Sequence, residues 1–133
     1  MTSPADTIER WLVDYVTTTS LAHVLEGAAA TELPIMIFVG NQGVIQIHSG
    51  PVHNIVTRGP WINVLDPDHD LHVRNDAVAS AWLVRKPTAD GIVTSVELYG
   101  ATGEQLALLF GTRKPGNPES QAWRSLAESC PRG

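Results

Sequence analysis

From Pro34 onward the chain is cut into short apolar runs, each bounded by glycine, proline or aspartate. Ile35–Val39 is followed by Gly40-Asn41-Gln42-Gly43 and then by Val44–His48, the spacing of a β-hairpin. Val52–Thr57 and Trp61–Leu65 are flanked by Gly/Pro turns, and Asp66-Pro67-Asp68 turns the chain into Leu71–Arg74. Val78–Lys86, Ile92–Tyr99 and Gln105–Phe110 follow, joined by Pro87-Thr88-Ala89-Asp90-Gly91 and Gly100-Ala101-Thr102-Gly103. Connections this short leave no room for parallel crossovers, so the strands should form an antiparallel meander.

The flanks read as helices. Ser3 can cap a first one, with Pro4 in its first turn. Ile8, Trp11, Leu12, Tyr15 and Val16 then recur at helical spacing. The run Thr17-Thr18-Thr19-Ser20 breaks that helix, and Ser20 can cap a second one buried through Leu21, Val24, Leu25, Ala28 and Ala29. At the other end Asn117-Pro118-Glu119 should cap a helix that turns Trp123, Leu126 and Ala127 inward. The expected fold is α+β: a curved antiparallel β-sheet (meander) with two N-terminal helices and one C-terminal helix. It should be a single domain over residues 1–133, with 1–33 as a helical cap, 34–114 as sheet and 117–130 as the last helix. Helices on one face of a sheet leave the other face for a second subunit or a flat apolar ligand.

Composition narrows the partners. A net charge of −5, with only Lys86 and Lys114 as lysines, argues against nucleic acid and against stable association with an anionic membrane. Cys130 is the single cysteine, which fits a reducing compartment. Met1 leads into Thr-Ser-Pro rather than a basic and then apolar run, so the expected location is cytoplasmic.

Strand parity sorts the residues that could carry chemistry. In Val44–His48, His48 shares a face with Val44 and Gln46. In Val78–Lys86, Lys86 shares a face with Val78, Ser80, Trp82 and Val84. Arg85 and Lys86 at one strand end, and Arg113 and Lys114 past another, would form a cationic rim suited to carboxylates or phosphates if the ends meet. His69 and His72 are metal-ligand types, but positions three apart on a strand face opposite ways. There is no nucleophile elbow, phosphate-binding glycine loop or HExxH. The residues alone describe an α+β binding domain.

Four segments go further. PIMIFVGNQGVIQIHSGPV, GPWINVLDPDHDLHVR, AWLVRKPTADGIVTSVEL and LLFGTRKPGNPESQAWRSL resemble the HemS/ChuX-type haem-utilisation family, over roughly Ser20 to Pro131. The large members carry two tandem copies of this domain, and the chain is similar to the second. The resemblance implies non-covalent binding of b-type haem (hemin) and its transfer in bacterial iron acquisition, by a homodimer.

 The same resemblance makes breakdown of haem, or release of its iron, the alternative activity, and a shortened non-haem dimerisation module the other alternative. Its pocket implies Lys86 of VRKPT and Arg113 of FGTR opposite the haem propionates, Phe110 as a pocket aromatic and His48 against the porphyrin. In two-copy members the iron-ligating histidine lies in a helical region upstream of the matched PIMIFV strand. Only about thirty-four residues precede that strand here, so the resemblance leaves His48 as the best available iron ligand.

Overall fold

A computed structural model describes residues 11–133. The meander is there, but it is divided between two sheets. Strands β1 (Leu12–Val16), β2 (Ile35–Gly40), β3 (Ile45–Gly50), β7 (Ser80–Thr88), β8 (Gly91–Tyr99) and β9 (Gln105–Gly111) form one sheet in the order β1-β7-β8-β9-β2-β3. Strands β4 (Ile55–Arg58), β5 (Trp61–Asp66) and β6 (His69–Arg74) form a second. All the neighbouring strands pair antiparallel.

The division falls at Gly50-Pro51. Gly50 has φ 141°, open to glycine and strained for other residues, and Pro51 has no amide hydrogen to continue a ladder. Buried Asp66 then fixes the start of the second sheet. Its carboxylate accepts from the backbone amides of His53 (3.0 Å) and Asn54 (2.8 Å) and from the Asn54 side chain (3.1 Å).

Two helices are described, α1 (Ser20–Thr31) and α2 (Gln121–Glu128). The first of the two expected N-terminal helices is not one: Leu12–Val16 is a strand, paired with β7 from Leu12↔Arg85 to Val16↔Ala81. Ser3, Pro4 and Ile8 lie outside the described residues. The spacing of Leu12, Tyr15 and Val16 fits a helix, but the same stretch alternates and is rich in valine and tyrosine. A run this short is ambiguous in period, and the free edge of β7 decides it. The last helix is capped by Ser120, whose Oγ accepts from the Trp123 amide (3.1 Å). Glu119 is committed elsewhere, accepting from the Thr94 amide and hydroxyl (2.6 Å each) and from Arg124 (3.0 Å).

Both helices and the second sheet lie over one face of the six-stranded sheet. The core between them holds Leu21, Val24 and Leu25 of α1, Trp123 of α2, Val64 of β5, and Ile35, Leu83, Val96, Leu98 and Leu109 of the large sheet. Trp123 also donates its indole N–H to the Thr94 carbonyl (2.9 Å), which satisfies its one polar atom in the core. No described helix is long and apolar enough to cross a membrane.

Candidate functional site

The other face of the large sheet is left open, and strand parity determines what stands on it. Leu83 and Val96 are opposite each other and belong to the core face, so Val84, Ser95 and their register partners point the other way. The open face therefore carries Val13 and Tyr15 of β1, Trp82, Val84 and Lys86 of β7, and Val93, Ser95, Glu97 and Tyr99 of β8. It continues through Leu108 and Phe110 of β9, Met36 and Phe38 of β2, and Ile45 and Ile47 of β3. Much of this surface is apolar and exposed: Tyr15 is 59% accessible, Ile45 66% and Ile47 52%. Three concavities run along it, of about 640, 550 and 330 Å³.

Three of the four expected site residues bear on this face. Phe110 meets Phe38 edge to face, with ring centroids 5.3 Å apart. Both line the smallest concavity together with Met36, Val93 and Arg113. Arg113 follows the end of β9, and its Nη1 reaches Asp90 of the β7–β8 turn at 3.4 Å. Lys86 stands across from Val93 on the neighbouring strand. Its ammonium lies 3.7 Å from Glu97 and 4.5 Å from the centroid of the Trp11 ring. An apolar, aromatic strip thus shares this face with two cations. The wider cationic rim does not form, because the pleat sends Arg85 to the opposite face, where it bridges Asp14 (3.0 Å) and Glu128 (3.2 Å).

His48 is not brought together with the other three. It pairs with the core residue Ile37 and so points to the covered face. There its ring stacks on that of His69 of β6, with centroids 3.8 Å apart and planes 8° from parallel. The His48 Nε2 and His69 Nδ1 atoms are buried without a hydrogen-bond partner among the described residues. Burial, and then the neighbouring His48, push the His69 imidazole below its ordinary value, against the pull of Asp66, Asp68 and Asp70. The remaining histidines are scattered. His23 bonds the Ser129 hydroxyl (2.7 Å), His72 bonds Asn63 (2.8 Å), and the backbone amide of His53 serves Asp66. As parity required, His69 and His72 face opposite ways, and among the described residues no three His, Cys, Asp or Glu side chains are grouped to hold a metal.

Sequence reasoning passed over Glu97. The residue is buried, 7% accessible, yet its carboxylate stands on the open face, accepting from Ser95 Oγ (2.8 Å) and from the Tyr99 hydroxyl (2.6 Å). Burial and that bond to Glu97 raise the Tyr99 hydroxyl above its ordinary value. The signal was present in Thr94-Ser-Val-Glu-Leu-Tyr99: a carboxylate inside an apolar central strand needs partners, and residues two apart share its face.

The family model described as "Haemin-degrading HemS.ChuX domain" matches residues 7–130. The chain belongs to this family. It is 46% identical over 105 residues to the hemin transport protein HmuS of Yersinia pestis, covering 79% of this chain and 30% of that protein. The haem-bound structure of PhuS, a haem-binding protein from Pseudomonas aeruginosa, superimposes with a TM-score of 0.89 at 49% identity, over 91% of this chain and 35% of that one. ChuS of E. coli, described as a haem oxygenase, gives 0.86 at 41% identity, over 90% and 36%. The chain thus spans about a third of the length of these HemS/ChuX relatives.

Proposed function

We propose that this chain binds b-type haem non-covalently on the open face of its six-stranded sheet and hands it on, as a cytoplasmic carrier that works as a homodimer. The observation that carries this reading is the meeting, on one face, of the Phe38–Phe110 strip with Lys86 and Arg113. Haem supplies a flat apolar ring, two propionate carboxylates and an iron open to axial ligands. The strip suits the ring, and the two cations suit the propionates. Family membership and the haem-bound PhuS structure support the same ligand. The exposed edge strand β3, with Ile45 and Ile47, supports self-association.

Among the described residues the open face offers no histidine to the iron, so affinity here rests on ring burial and propionate pairing. That favours carriage and release over haem breakdown, which also needs a ligated iron and a source of electrons. Hemin titration followed in the Soret region tests the reading. The protein should bind saturably, and Lys86→Ala and Arg113→Ala should each weaken binding by about three- to tenfold. Hemin that keeps its free spectrum in the presence of the protein would sink the proposal. The other candidate ligand, His48, requires haem between the two sheets; a Soret shift in His48→Ala would favour it.

A further inference from the structure

We infer that Glu97 is a built-in competitor for Lys86, an internal carboxylate that holds down the affinity of this face for anionic ligands. The inference rests on the haem reading of the site and concerns how tightly that site grips. Glu97 is pinned. Its two oxygens accept from Ser95 Oγ and the Tyr99 hydroxyl, at 2.8 and 2.6 Å, so the carboxylate cannot swing aside when a ligand arrives. It is buried, with 9% of its side chain accessible, whereas the Lys86 side chain keeps 31%. The Glu97–Lys86 separation of 3.7 Å is a charge pair rather than a hydrogen bond, so Lys86 can still donate outward.

A ligand carboxylate drawn to Lys86 therefore meets a fixed negative charge behind the ammonium. In a partly buried setting that repulsion is only weakly screened, and it cancels part of the attraction. Arg113 differs, because its partner Asp90 lies on a turn with 34% of its side chain accessible, so water can take over that carboxylate as it cannot take over Glu97. The two cations are thus unequal: Arg113 can give up its counter-ion, while Lys86 must share its charge with Glu97. A carrier gains from this, since a site held below its full affinity can release its cargo.

The test compares hemin with hemin dimethyl ester, which keeps the ring and iron but lacks free carboxylates. Glu97→Gln removes the charge; its one oxygen still accepts from one hydroxyl, and its NH2 donates to the other, which turns to accept. It should tighten hemin by about three- to tenfold and leave the diester unchanged. In the Lys86→Ala background the same substitution should change nothing, and Glu97→Asp should restore weaker, wild-type-like binding. If Lys86→Ala weakens hemin while Glu97→Gln leaves it unchanged, or tightens the diester equally, the competitor role is wrong and the haem site stands. If no variant binds hemin, the haem reading itself fails and takes this inference with it. A second measurement needs no variant: the Glu97 carboxyl ¹³C resonance should move when zinc protoporphyrin binds and stay when its dimethyl ester binds. Equal movement with both would overturn the inference.

Discussion

Asp66 shows how much one side chain can fix. Burial alone would raise its pKa, but the bonds from the Asn54 and His53 amides and the Asn54 side chain outweigh burial and hold it below the ordinary 3.8. A depressed carboxyl contributes stability that is complete above the unfolded value and is lost as pH falls through the folded one. Asp66 should therefore stabilise the protein at neutral pH, and its contribution should fade below about pH 4. Asp66→Ala leaves two backbone donors unpaired and should cost about 2–3 kcal/mol in urea unfolding at pH 7, with a smaller difference from wild type at pH 3. An equal difference at both pH values would show that the loss comes from packing instead. From the sequence, Asp66-Pro67-Asp68 was legible as turn chemistry, and the structure agrees. That Asp66 reaches back to Asn54 was not legible, because the two residues meet only once β4 and β5 have paired.

At the level of elements, the helix packing depends on a missing side chain. Gly111 ends β9 beneath α2, and a Cβ there would stand 2.5 Å from Cγ of Trp123. Gly111→Ala should cost about 1–3 kcal/mol and lower the melting temperature, with a weakened near-UV signal from the displaced indole. A variant as stable as wild type, with that signal intact, would mean α2 can shift without loss. The strands were legible because short turns and alternating apolar residues allow little else. The first segment misled, because Leu12, Tyr15 and Val16 satisfy two periods at once and only the free edge of β7 selects between them. The division into two sheets was equally hidden: it follows from Gly50-Pro51 and from the Asp66 bonds, neither of which alternation registers.

For the whole molecule, the decisive asymmetry is between the two faces of the large sheet. One is sealed by helices and the second sheet; the other exposes aromatic and aliphatic side chains beside Lys86 and Arg113. Parity within a strand placed Lys86 correctly with Trp82 and Val84. It could not place His48 relative to Lys86, because that depends on the strand order β7-β8-β9-β2-β3, which no local pattern states. The homodimer proposed above should sediment as a dimer, and Ile47→Lys on the exposed edge should shift it to monomer; an unchanged dimer would put the contact elsewhere.

The central claim is that haem lies on the open face. The most direct measurement is a backbone amide NMR map of the protein with zinc protoporphyrin, a diamagnetic stand-in for haem. Shifts should concentrate at Met36, Lys86, Val93, Phe110 and Arg113, while His48, His69 and β4–β6 stay in place. Shifts centred on His48 and His69 would put the porphyrin between the sheets and contradict the account.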